Sequence, residues 1–283
     1  MISLISPATE SRHVSWQRLC LAFVLALLLF VLIRWQPEQW LQHEIDQQTR
    51  INGIDLYYQA LHIEGLSVRM EHASIQTSRL PSPVVLDSLS ISPAWSLLLS
   101  GTRAVDIKAT LYGQSVEAVL VWKKNKYIEI HDLNAFLDVD AFQSLWKQRM
   151  PFPVRAGGRL MLSGHIQLDA LSGLPVDGQL DVAWQQARID LPMFNKPLGD
   201  YQLGLKAAPH ASGVWQWTLG GGTEVRLSGS GQLDLSGKLP QQWTINGRVQ
   251  IQAAPEAKTI ASMLGNQAKT FRISGKLFNA RVQ

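Results

Sequence analysis

The chain has 283 residues, 46% of them hydrophobic and 17% charged, with a net charge of +4 and a pI of about 9.2. So small and dispersed a positive excess excludes a nucleic-acid binder that works by neutralising phosphates, which needs a dense basic stripe. A single cysteine, Cys20, excludes a disulfide framework.

In chain order, the first signal is the uncharged apolar run Leu19 to Ile33, bracketed by Arg18 and Arg34 with Trp16 and Trp35 beside them. Amphipathic rings and snorkelling cations at both edges are what a membrane–water interface selects. Trp16 to Trp35 also approaches the roughly 20 residues that a spanning helix needs. A cleaved signal would end in a small-residue site, whereas Arg34-Trp35-Gln36-Pro37-Glu38 follows here. The expectation is a retained transmembrane anchor over 16–36 behind a tail of residues 1–15. Arg12 and Arg18 before the span nearly balance Arg34 and Arg50 after it, and the short tail makes a cytoplasmic amino terminus the simpler choice.

Pro37 to Arg50 carries Trp40, Leu41 and Ile45 at helical spacing, which predicts a short amphipathic helix at the membrane surface, stopped by Asn52-Gly53. From Ile54 onward the pattern alternates at strand period. Short helices are expected at Pro93–Leu99, with Ser92 as N-cap and Gly101 beyond the end, after Asp138, and from about Pro255 to Leu264. Lys123-Lys124-Asn125-Lys126 reads as a solvated hairpin tip.

The strands carry the strongest pattern. In Arg159–Asp169 one face reads Leu160, Leu162, Gly164, Ile166, Leu168, and in Thr223–Leu235 it reads Val225, Leu227, Gly229, Gly231, Leu233, Leu235. Trp243–Ile251 and Phe271–Leu277 repeat the arrangement, a glycine sitting in each apolar row. One dry and one wet face imply antiparallel pairing, and the glycines imply bending or a close neighbour. In Asp177–Leu191 the phase flips, which a bulge near Gln185–Ala187 would produce. The expected fold is mainly β: an elongated, curved, mostly antiparallel sheet with a few short helices, a closed sandwich or barrel being the alternative. Lys147–Ala156, with Pro151 and Pro153, is the candidate seam between a first part, 37–150, and a second, 151–283.

No chemistry competes with this architecture. None of the seven histidines has a partner at metal-ligand spacing. His131-Asp132 is read as a strand-end pair, and Asp138 and Asp140 as helix N-terminal residues. Gly220-Gly221-Gly222 joins two strands and opens no helix, so it lacks the dipole of a phosphate loop. Trp215 and Trp217 share a strand face, as a sugar or lipid platform or as packed core. The expectation is a non-enzyme without catalytic, metal or cofactor residues.

Several phrases in order carry a resemblance: Gly158-Arg159-Leu160-Met161-Leu162-Ser163-Gly164, then Val182-Ala183-Trp184-Gln185-Gln186-Ala187-Arg188, then Pro197-Leu198-Gly199-Asp200-Tyr201. The strand Val225–Leu235 and the stretch from Ala254-Pro255-Glu256 through Phe271-Arg272-Ile273-Ser274-Gly275 follow. From roughly Leu120 to the end the chain resembles the type II secretion system protein N family, and Ile54 to Gly113 is similar to the membrane-tethered sheet repeats of AsmA-type proteins. The resemblance implies a single-pass inner-membrane protein with a periplasmic body. Its implied role is accessory and non-catalytic, beside other secretion components. An AsmA-like lipid-binding groove is the other function it implies.

Overall fold

The computed structural model describes residues 23–24, 37–51, 54–77, 83–123, 126–142, 155–190, 197–209, 211, 213–237, 239–254, 267–277 and 280–283. Contacts divide the chain into two units, Met1–Gln47 and Gln48–Gln283. The anchor expected over 16–36 lies outside the described residues except at 23–24, as do the segment following Phe142 and the helix expected at Pro255–Leu264. Among the described residues no helix is long and apolar enough to cross a membrane. Helix α1, Pro37–Ile51, forms where helical spacing predicts it.

The second unit is built from strands. They are β1 (Ile54–Tyr57), β2 (Ala60–Glu64), β3 (Ser67–Thr77), β4 (Val84–Pro93), β5 (Arg103–Leu111), β6 (Gln114–Trp122), β7 (Tyr127–Asp138) and β8 (Arg155–Asp169). After them come β9 (Pro175–Asp190), β10 (Pro197–Ala207), β11 (Val214–Gly221), β12 (Val225–Asp234), β13 (Thr244–Ala253), β14 (Lys269–Lys276) and β15 (Arg281–Val282). All fifteen lie in one sheet, and from β3 onward each strand pairs with its sequence neighbours in a continuous meander. Every pairing is antiparallel, as alternating dry and wet faces require. β1 and β2 lie end to end along β3, separated at Tyr58-Gln59, where the Gln59 N–H donates to the Glu71 carbonyl at 3.0 Å. At the other margin the two-residue β15 pairs with β14. The strand order is that of an open sheet rather than a closed barrel. β7 and β8 pair from Tyr127–Asp169 to Asp138–Arg159, so the ladder continues across the Lys147–Ala156 seam.

Three local expectations are corrected. The short helix α2 is Trp95–Leu99, not Pro93–Leu99, and its N-cap is Ala94, which makes no side-chain cap bond. Ser92 and Pro93 instead extend β4, opposite Asp106 and Val105 on β5, the proline standing at the end of the ladder where a missing donor costs least. His131-Asp132 does not end a strand. It sits inside β7 at a break in register between Ile130 and Leu133, with Asp132 at φ 48°. Asp138 closes β7 and Asp140 falls in a 3-10 turn, Val139–Phe142, rather than opening an α-helix.

Candidate functional site

Register turns the alternation into two parallel strips. Following the paired residues from β2, one strip runs Leu61, Met70, Leu89, Ala109, Val116, Ala135 and Leu162. It continues through Val182, Leu203, Leu219, Gly229, Val249 and Phe271 to β14. One residue along every strand lies its counterpart: His62, Arg69, Ser90, Lys108, Glu117, Asn134, Ser163, Asp181, Gly204, Thr218, Ser230, Arg248 and Arg272. Successive side chains on a strand point to opposite faces. Along this line of register the sheet therefore has an apolar side and a polar side across thirteen strands. No member of the apolar strip is exposed, whereas nearly all of the polar strip is. At about 4.8 Å between strands the dry strip is on the order of 55–60 Å long.

Tryptophans reinforce it between β9 and β13. Trp217 stands opposite Gly231, which stands opposite Gly247 on the next strand. A Cβ on Gly231 would lie 2.7 Å from the Trp217 ring nitrogen, and one on Gly247 would collide with the ring itself. The missing side chains form a floor on which the indole lies, its N–H donating to the Asn246 carbonyl at 3.3 Å. Trp215 reaches the opposite way, over β10 to Gly178 on β9, where a Cβ would meet its ring at 3.1 Å. The two indoles are 2% and 4% exposed, so the pair is packed core and not an open aromatic platform.

A second feature gathers at the strand ends of β8 to β12. The bulge expected near Gln185–Ala187 is present: Gly157 pairs with Arg188 but Arg159 with Gln185, and Gln186 takes φ 50°. Gly158 permits the close approach, since at φ 110° its hydrogens face the Gln185 and Gln186 carbonyls where a Cβ would stand 2.6 and 2.7 Å away. The freed Gln186 N–H is taken up by the Asp200 carboxylate at 2.7 Å. Trp184 donates from its ring to the Gly157 carbonyl at 3.1 Å and meets Tyr201 at a centroid distance of 6.0 Å. Ala187, Leu198 and Tyr201 are buried together, with Trp184, Ile189, Val225 and Leu227 packed around them. The Tyr201 hydroxyl donates to the Val225 carbonyl at 2.8 Å, and burial pushes its pKa up to about 12. Sequence reasoning found the bulge but gave Asp200 and Tyr201 no role. The only local signal for them is Gly199-Asp200, a turn pair that can reach the bulge across the ladder.

The charged groups hold the frame. Asp138 accepts from the Gln114 side chain at 3.0 Å and Asp140 pairs with Arg188 at 3.3 Å, and both carboxylates line one cleft of about 560 Å³ together with Arg159 and Arg188. His131 lies 2.7 Å from Glu129, which also pairs with Lys123 at 3.0 Å. Burial pushes the Glu129 carboxyl up, but bonds from Lys123 and His131 outweigh it and leave the group below its ordinary range. Hydrogen bonds from the Ser172 backbone and hydroxyl likewise lower Asp169 in the β8–β9 turn. Gly220-Gly221-Gly222 closes the β11–β12 turn, the Gly222 N–H donating to the Asp200 carbonyl at 2.7 Å. Among the described residues no group of three His, Cys, Asp or Glu side chains could hold a metal ion. A depression of about 570 Å³ on the polar face, between Ser163, Asp181, Gln202 and Thr218, contains no nucleophile–base pair. No protein-family model, curated protein or solved structure matches this chain.

Proposed function

We propose that the chain is an accessory, non-catalytic inner-membrane component of a type II secretion system, its sheet serving as a periplasmic scaffold for partner components. The observation that carries this reading is the convergence of the residues that resemble the protein N family. Gly158, Trp184 to Arg188, Pro197 to Tyr201 and Val225 are far apart in sequence. They meet in one knot of bulge, carboxylate and buried tyrosine. An open sheet also offers margins at which a partner strand can add. Deletion of the gene in a strain with an otherwise intact secretion system tests the proposal: reduced release of folded exoproteins is the expected outcome, and undiminished release overturns it.

The dry strip favours a second reading, an AsmA-like cradle for acyl chains. A channel that shields methylenes gains about 0.8 kcal/mol for each one. Lipid extracted with the purified protein and identified by mass spectrometry would support the cradle, and a lipid-free protein would leave the scaffold as the better reading.

A further inference from the structure

The turns that join β4 to β5, β6 to β7 and β8 to β9 fall at the same end of the sheet, because alternate strands of a meander return to the same side. These three neighbouring turns carry Leu99 and Leu171, the two most exposed large apolar side chains among the described residues. Leu99 is 85% exposed, Leu171 80%, Trp95 55% and Trp122 43%. The turns are linked in neighbouring pairs. Leu98, Arg103 and Trp122 line a shared cleft of about 460 Å³, and the Ala170 N–H beside Leu171 donates to the Lys126 carbonyl at 2.8 Å. Cations stand among them: Arg103 and Lys126 are exposed and enter no ion pair among the described residues. The acidic neighbours are already engaged, Glu129 by Lys123 and His131, and Asp169 by Ser172 and the Leu171 N–H, with the Lys126 charge acting on Asp169 only at longer range. Soluble surfaces rarely leave leucine and tryptophan side by side at turn tips.

We infer that this three-turn end docks on an anionic bilayer surface, with Trp95, Leu99, Trp122 and Leu171 entering the interfacial layer and Arg103 and Lys126 facing lipid phosphates. The chemistry selects this occupant. Leu99 and Leu171 stand exposed on the two outer turns, with Trp122 and the cations Arg103 and Lys126 on the strands and turn between them, whereas a stable protein partner needs about 800 Å² of complementary surface on each side. Tryptophan and basic residues together are the interfacial pairing of membrane proteins, and cations are drawn to an anionic surface by an attraction that salt screens. Sheet twist of about 20° or more per strand confines a flat contact to a few adjacent turns, which is the extent of this patch.

The test uses the full chain carrying Cys20→Ser and an environment-sensitive fluorophore on Leu99→Cys, on Leu171→Cys or, as a control in mid-strand, on Phe136→Cys. Vesicles of phosphatidylcholine alone are compared with vesicles of phosphatidylcholine and phosphatidylglycerol. Both tip probes should shift to the blue and be quenched by nitroxide lipid in the anionic vesicles, while the Phe136→Cys probe stays aqueous. Arg103→Glu with Lys126→Glu should abolish the shift without altering the circular dichroism of the sheet. Tip probes that stay aqueous overturn the inference, as does a shift equal at all three positions. A shift that needs protein concentration and no vesicles also overturns it, in favour of a second copy. Flotation of the chain with vesicles reports on the amino-terminal anchor independently, so the two readings fail separately.

Discussion

The first seven strands and the six that follow keep the same face dry by different means. Between β3 and β7 the strip is filled by ordinary aliphatic and small side chains in register, such as Met70, Leu89 and Val116. The added packing there is on the other face, where α2 covers Ala104 and Val121 with Leu97. Between β8 and β13 the strip is reinforced from within, by tryptophans laid over glycines and by a bulge that buries Tyr201. The first means tolerates change at any one residue, because each contributes only its own area. The second concentrates packing energy in a few rings and in the absence of side chains beneath them.

The sharpest way to break this contrast is Trp217→Ala, which should cost about 3–5 kcal/mol, against about 2 kcal/mol for Leu89→Ala in the aliphatic part of the strip. Denaturant unfolding of the two variants measures both, and equal costs would erase the distinction. Next in size is Gly247→Val, expected to destabilise by about 1–3 kcal/mol through overpacking against the ring. In a Trp217→Ala background the ring's share of that cost should vanish, while the share from the Ser230 carbonyl, 2.6 Å from the same Cβ, remains. A double-mutant cycle reads that coupling, and simple additivity would mean that the ring and the floor do not act together.

Tyr201→Phe is smaller at neutral pH, about 0.5–1.5 kcal/mol for the bond to the Val225 carbonyl. Its clearest signature is alkaline. The folded tyrosine ionises at about 12, and an unfolded one near 10. Between those values the unfolded chain loses its proton first, so stability present below about pH 10 falls as pH rises towards 12. The full loss is on the order of 2 kcal/mol. Tyr201→Phe should flatten this limb when the two proteins are compared across the range, and parallel profiles would place the hydroxyl in water.

How much of this was legible in the sequence follows from what each feature depends on. Alternation and glycine position are local, and they were enough for the strands, the antiparallel sense and the bulge at Gln185–Ala187. The strips were not legible because register is a property of pairs: nothing in Leu162 alone says that it faces Val182 and Ala135. The helix at Pro93 was misjudged because Ser92 and Pro93 suit an N-cap as well as a strand end, and the ladder to Asp106 and Val105 decided it. Trp215 and Trp217 were open to two readings because a shared face does not reveal what the rings lie upon. The apolar turn tips went unnoticed, Leu99 and Leu171 having no neighbours in sequence to link them.

The smallest effect belongs to the wet strip, where the difference between the two faces can be tested most directly. Lys108 and Glu117 stand opposite each other on β5 and β6, their charges 3.3 Å apart and largely exposed. An exposed pair contributes about 0–1 kcal/mol, so Lys108→Ala should change the unfolding midpoint little. Replacing both residues with isoleucine should be just as mild for stability, since β-branched side chains suit a pleated surface. It should be severe for solubility, because it continues apolar surface from Val119 and Val121 onto a face that no described residue covers at that point. Sedimentation would then show self-association of a protein whose unfolding free energy is nearly unchanged. A monomeric double variant would mean that the polar strip is incidental. An associating one would mean that the dry face folds the sheet while the wet face keeps it single.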